Sequence, residues 1–337
     1  MKNKLLKCMG LAIVSLVVPL CTSCNIEDDS GKLKIVTSVY SEYDWVMTVL
    51  GNKKDNASVR LLRDSGIDMH SYQPSMDDAK AISKCDLLVY VGGESDDWIE
   101  DAVKDAANKD KKVINLLETL GDGAKKEETV EGMQGEEEHE HEGEEEHDHE
   151  GEGEEEVEYD EHVWLSVKNA QIFVAAISDA LGQIDAENAA YYKSNADSYV
   201  NQLKDLDNRY IAAVNAGTKD TILFGDRFPF RYMVEDYNLK YYAAFLGCSS
   251  NVTPDYTTIK FLADKIDELN LKVILKIEGN ATERLISAIK ETANTKDLTV
   301  LTMDSIQSAR SSDFKNENAR YLSIMENNLG VLKEALK

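Results

Sequence analysis

Eight short runs rich in Val, Ile, Leu and Tyr alternate with stretches of helical periodicity, and that alternation restricts the chain to βαβ units and parallel sheets. The first four runs are LKIVTSVY (33–40), SVRLL (58–62), DLLVYVGG (86–93) and KVINLLE (112–118). The second four are TILFG (221–225), YYAAF (241–245), KVILKIE (272–278) and LTVLTMD (298–304). The fold class expected is therefore α/β, with two lobes, each holding a four-stranded, mainly parallel sheet flanked by helices. No internal repeat relates the two sets, so their symmetry is one of architecture.

One long rigid helix is expected to join the lobes, over residues 186–216. Tyr192, Ala196, Tyr199, Leu203, Leu206, Tyr210 and Ala213 alternate spacings of four and three and form a single apolar stripe. About 30 residues at 1.5 Å rise would span roughly 45 Å, a stiff spine in place of a hinge. Near the C-terminus, Tyr321, Ile324, Met325, Leu329 and Leu332 mark the core face of a closing helix. The expected organisation is a signal peptide (1–23), a tether (24–31), an N-terminal α/β lobe (32–126) and a disordered acidic, His-rich loop (127–158). A cleft-lining helical segment (159–185), the spine (186–216) and a C-terminal α/β lobe (217–337) follow.

The N-terminus carries three lysines, an apolar run from Met9 to Leu20 and small polar residues. That is the pattern of a secretory signal, too short to span a bilayer comfortably. Leu20-Cys21-Thr22-Ser23-Cys24 resembles a bacterial lipobox, with Cys21 where Leu is usual. The protein is therefore expected to be exported and held to a bacterial membrane by a lipid on Cys24, on the extracytoplasmic side; a cleaved, soluble product is the plainer alternative. Cys85 and Cys248 are the thiols left to the mature fold; they fall in different lobes and are expected unpaired.

The net charge of −26 is concentrated: residues 131–158 hold sixteen Asp or Glu and no Lys or Arg. The rest of the chain is only moderately acidic, which argues against nucleic acid and is compatible with attracting cations. Four of the six histidines, His139, His141, His147 and His149, lie in this insert. With abundant Gly and almost no large apolar residues, it is expected to be disordered without metal. It reads as an accessory metal loop that binds weakly and exchanges quickly over the mouth of a tighter site.

The other two histidines sit beside ordered elements. His70 lies in a loop after the second strand, within DSGIDMHSYQPSMDDAK, and His162 lies just before a helix, within DEHVWLSVKNAQ. These stretches resemble the two His motifs of the zinc and manganese solute-binding proteins that serve ABC importers, the ZnuA-like family. Gly66, His70, Tyr72, Pro74 and Asp78 match the first motif; Asp160, His162, Trp164 and Leu165 match the second. The resemblance covers essentially the whole mature chain, including an acidic, His-rich insertion at this place.

Loops at the carboxyl ends of parallel strands are where α/β folds bind ligands, and neutral imidazole is a preferred ligand of Zn²⁺. Each histidine alone is as readily an ordinary surface or capping residue; the two together point to a metal.

The resemblance implies a carboxylate ligand at Asp304, which would otherwise be a helix N-cap. It also places His or Glu three residues before a Phe-x-Tyr pair, here Phe230 and Tyr232, and that position is Arg227, a permanent cation that cannot ligate. Asp226 could replace it through a one-residue shift, or could pair with Arg227 or Arg231 and leave water on the metal. Glu278 is a reserve ligand or a supporting partner.

The implied function is capture of Zn²⁺, with Mn²⁺ as the alternative, in the inter-lobe cleft of a monomeric binding protein that delivers it to an ABC permease. Two readings from other classes are weaker. A zinc-dependent hydrolase lacks H-E-x-x-H and G-x-S-x-G motifs, and nothing in the sequence selects a surface adhesin.

Overall fold

The eight apolar runs form eight strands in two separate sheets. The computed structural model describes residues 31–134, 158–249, 253 and 255–337. Cys24 and the insert histidines His139, His141, His147 and His149 lie outside the described residues.

The first sheet contains β1 (Leu33–Thr37), β2 (Ala57–Leu61), β3 (Leu87–Tyr90) and β4 (Lys112–Asn115), in the order β2-β1-β3-β4. In the second sheet β5 (Thr221–Phe228), β6 (Lys240–Leu246), β7 (Val273–Lys276) and β8 (Thr299–Thr302) run β6-β5-β7-β8. Every strand pair is parallel. Helices cover both faces of such sheets, so central strands read as continuous apolar runs, and all four residues of β3 are buried. Strand order reverses between β1 and β3 and again between β5 and β7, and crevices at the carboxyl ends of such points are where this architecture takes ligands.

The spine is the helix Ala189–Ala216, preceded by a 3-10 turn over Ala186–Asn188. Its buried residues are the seven of the apolar stripe. They join one apolar cluster with Trp45 and Val46 from the helix Tyr40–Leu50 and with Tyr321, Met325 and Leu329 from the closing helix Tyr321–Ala335. Tyr210 stacks on Tyr237 with ring centroids 5.0 Å apart, and its hydroxyl donates to Met325 O at 2.7 Å. Large motions of one lobe against the other would open this shared core, so the fold resists them. The outer faces have smaller cores of their own, around Ile82, Leu88 and Ile99 in the first lobe and Leu262, Ile266 and Ile289 in the second. Among the described residues no helix is long and apolar enough to cross a membrane.

The acidic segment departs from expectation at its start. Residues 127–134, expected to be disordered, follow a defined path: Lys126 bridges to Tyr159, and Gln134 N donates to Ala244 O at 2.9 Å along β6. Met133, 9% exposed, anchors this stretch in the shared core, and Val130 packs against it. An open strand edge and two apolar side chains are enough to order the eight residues despite the acidic sequence beyond them.

Candidate metal centre

The candidate residues gather at the carboxyl ends of the strands. His70 sits in a 3-10 turn, Met69–Ser71, whose preceding residue Asp68 accepts from His70 N at 3.1 Å. The other residues of that motif hold this turn in place. Tyr72 Oη donates to Asp78 Oδ2 at 2.8 Å, Ser75 N and Oγ donate to the same oxygen, and Arg60 binds Asp78 Oδ1 at 2.5 Å. Burial pushes the Asp78 carboxyl up, but the bonds from Ser75 and Tyr72 and the charge of Arg60 overcome it and hold it below the usual range. Gly66 has φ +71°, and a Cβ there would meet Arg310 Nε at 2.8 Å, so the turn needs glycine.

His162 is fully buried. Asp160 Oδ1 accepts from His162 N at 2.8 Å and lies 3.1 Å from its Nδ1. Trp164 Nε1 donates to Ser305 O at 3.0 Å, and Tyr321 Oη donates to Trp164 O at 2.7 Å, tying this segment to the second lobe and the closing helix. Tyr232, of the Phe-x-Tyr pair, donates to Asp160 O at 2.9 Å and accepts from Lys125 N. Gly247 lies under the imidazole: an added Cβ would be 3.1 Å from His162 Cε1 and 2.8 Å from Phe228 O.

These supports aim the two rings at each other. His70 Nδ1 contacts Ser95 Oγ at 3.0 Å and Glu161 Oε2 at 3.5 Å, while His162 Nδ1 is held by Asp160. The two Nε2 atoms are then 3.3 Å apart. Two imidazole nitrogens at 2.0–2.1 Å from a tetrahedral zinc are about 3.3–3.4 Å apart, so the separation of the pair matches that of two zinc ligands. Anchoring the far ring nitrogen to a carboxylate or hydroxyl is the usual way a protein orients a metal-binding imidazole.

The two imidazoles differ in their electrostatics. Burial, followed by the neighbouring His162, depresses the His70 imidazole to about 3, so it is neutral. Burial also disfavours the charged form of His162, but Asp160 outweighs it and the shift is upward. Burial lifts Glu161 to about 7.

The second lobe contributes differently from expectation. β5 carries one residue more than β6 between Phe224 and Arg227, a bulge that supplies the anticipated one-residue shift. It does not bring Asp226 to the histidines. Asp226 Oδ2 accepts from Ile277 N at 3.2 Å and Thr282 Oγ1 at 2.7 Å, and Oδ1 accepts from Arg227 N. The Arg227 guanidinium pairs with Asp68 at 2.7 Å, while its backbone N–H is what meets Asp226.

Glu278 and Asp304 brace a turn. Glu278 accepts from Ser305 N and Oγ, each at 2.7 Å, and Asp304 Oδ1 accepts from Ile306 N at 2.7 Å. Ile306 has φ +65°, a rare conformation for a β-branched residue, which these bonds hold in place. Burial and then the Glu278 charge raise Asp304 to about 6. The turn presents Gln307 between Asp68 and His162; with its amide nitrogen turned to Asp68, it donates to Asp68 Oδ2 at 2.6 Å and its oxygen accepts from His162 Nε2 at 2.9 Å.

The ligand atoms that do converge, all within 4.8 Å of one another, belong to His70, His162 and Cys248. Of the five ligands named from the sequence, the two histidines meet; Asp226, Glu278 and Asp304 are not in that group. Cys248 and the supporting Ser95, Glu161 and Gln307 were not anticipated. Glu161 stands inside the second motif, next to His162, and Cys248 lies two residues past a parallel strand; those are the two signals the sequence offered. Cys85 is buried in the outer core of the first lobe, and both thiols are free.

Residues 35–335 match the family model described as zinc-uptake complex component A, periplasmic. The zinc-binding lipoprotein AdcA of Streptococcus pneumoniae is 28% identical over 335 residues, 98% of this chain and 61% of that protein, so the chain spans about three fifths of its length. The high-affinity zinc uptake system protein ZnuA of Bacillus subtilis is 28% identical and covered over 98% of both chains. Among solved structures, the Zn(II)-bound ZnuA-like domain of S. pneumoniae AdcA superposes with a TM-score of 0.67 at 25% identity, over 91% of this chain and 99% of that one. The metal-dependent lipoprotein YcdH of B. subtilis shares the fold, with a TM-score of 0.69 at 24% identity, over 90% and 99% of the two chains.

Proposed function

The chain belongs to the zinc-uptake complex component A family, and from that premise we propose that it is an extracytoplasmic binding protein that captures Zn²⁺ and delivers it to an ABC permease. The observation that carries the reading is the pair of Nε2 atoms 3.3 Å apart, each ring anchored through its other nitrogen. The cargo ion enters between the imidazoles, and His162 Nε2 leaves Gln307 to meet it. Zinc is favoured over manganese because that separation suits tetrahedral geometry and two imidazoles suit Zn²⁺. Relatives named for zinc support the same choice.

Of the carboxylates named from the sequence, Asp304 is retained as a ligand of the bound ion: it follows β8 by two residues, within the stretch that resembles the family's carboxylate position. We also assign a lipid anchor to Cys24 and an accessory, weakly binding role to His139, His141, His147 and His149, on their sequence context alone. Binding and release, without catalysis, is the activity. Because the shared core runs through the spine, the motions that load and unload the ion are those of the loops bearing His70 and Gln307.

Zinc titration of the purified protein in competition with a chromophoric chelator tests the assignment. One tight site is expected in the wild type, with that site lost in His70→Ala. Equal tight-site binding by the two proteins would overturn it.

A further inference from the structure

The position that carries a ligand in the family pattern is Arg227, and its guanidinium is committed to Asp68 at 2.7 Å and reaches Ser249 O at 3.4 Å. Asp226 beside it is taken up by Ile277 N and Thr282, and Glu278 by Ser305. The second lobe nevertheless sends one strong zinc-binding atom to the histidines. Cys248 follows β6 by two residues, and its Sγ lies within 4.8 Å of the ligand atoms of His70 and His162.

We propose that the Cys248 thiolate is the third protein ligand of the cargo zinc, supplied from the end of β6 in place of the ligand that Arg227 removes from β5. The inference rests on the reading of the cleft as a zinc site. Its geometry is close: with Zn–S near 2.3 Å and Zn–N near 2.0–2.1 Å, a tetrahedral ion needs S···N separations of about 3.6 Å. The observed bound of 4.8 Å leaves at most about 1.2 Å for the thiol to close on coordination. Gly247 is closely packed between His162 and Phe228, and this fixes the backbone that presents Cys248 to the site.

Coordination replaces the thiol proton by the ion: the S–H bond gives way to S–Zn, the sulfur keeps its electron pair for the metal, and the proton leaves to solvent. The N₂S set is softer than two histidines with carboxylates alone. Thiolate selects zinc and disfavours manganese, so Cys248 becomes the specificity-determining residue.

Co²⁺ bound in the full-length protein is the probe, read by absorption together with Zn²⁺ and Mn²⁺ affinities. The wild type is expected to show visible d–d bands with a near-ultraviolet thiolate-to-cobalt charge-transfer band. Cys248→Ser should keep d–d bands, lose the charge-transfer band and bind zinc at least about 10–100-fold more weakly, since even a supporting partner costs that much. Its preference for zinc over manganese should narrow. Cys85→Ser should retain the charge-transfer band, and far-ultraviolet circular dichroism checks that both variants fold. Wild-type d–d bands without charge transfer, or a charge-transfer band that survives in Cys248→Ser, would overturn the thiolate assignment and leave the histidine site standing. Failure of the wild type to bind either cobalt or zinc would overturn both.

Discussion

The two sides of the cleft use their polar side chains in opposite ways. On the His70 and His162 side, Ser95, Glu161 and Asp160 hold the far ring nitrogens, and the Nε2 atoms are left facing each other at 3.3 Å. On the other side, Asp226, Glu278 and Asp304 direct carboxylate oxygens to backbone N–H groups at Ile277, Ser305 and Ile306. Carboxylates there shape loops, and Cys248 and Gln307 are the side chains brought to the imidazoles. Ligand type alone therefore does not identify a ligand; what each group's other contacts leave available does.

The contrast can be broken in four ways. His162→Ala has the largest expected effect, a loss of zinc affinity exceeding the roughly 100-fold that removal of a supporting partner causes. Chelator competition measures it, and a loss of only a few-fold would mean the tight site lies elsewhere.

Asp160→Asn comes next. It keeps the shape of the His162 clamp but weakens its charge, and zinc affinity should fall by about 10–100-fold with the fold retained. An effect as large as that of His162→Ala would make Asp160 a direct ligand.

Asp226→Asn should act on stability instead. Setting an amide nitrogen against the Ile277 and Thr282 donors should cost about 1–2 kcal/mol in urea unfolding, with zinc affinity unchanged. A large affinity loss in a stably folded Asp226→Asn protein would restore Asp226 as a ligand.

The smallest expected effect is that of Tyr72→Phe, about 0.5–1.5 kcal/mol at neutral pH through the lost bond to Asp78. The Asp78 carboxyl is held below its usual range, so its contribution is full above that range and is lost as pH falls through the lowered value. The stability gap between wild type and Tyr72→Phe should therefore close in acid. A gap that stays constant with pH would assign Tyr72 a packing role.

Much of this protein was legible from local pattern. The strand runs predicted two four-stranded sheets, and the stripe from Tyr192 to Ala213 predicted the buried face of the spine residue for residue. The two His motifs were legible because their supporting residues lie within a few positions: Asp78 is eight residues from His70, and Asp160 is two from His162. The ordering of residues 127–134 was not, because it depends on the edge of β6 and a core pocket for Met133. Nor was the second half of the site. Arg227 meets Asp68 across 159 residues of sequence, and Asp226 meets Thr282 across 56.

The sequence by itself determined the α/β class, the spine and the two imidazoles, since periodicity and short-range hydrogen bonding are properties of neighbouring residues. Only the tertiary structure decided that the β5 bulge turns Asp226 inward, that Glu278 and Asp304 brace a left-handed turn at Ile306, and that Cys248 comes to the histidines. Those outcomes depend on which distant backbone groups need a partner once the strands are assembled, and buried N–H groups must be satisfied before a carboxylate is free to bind anything else.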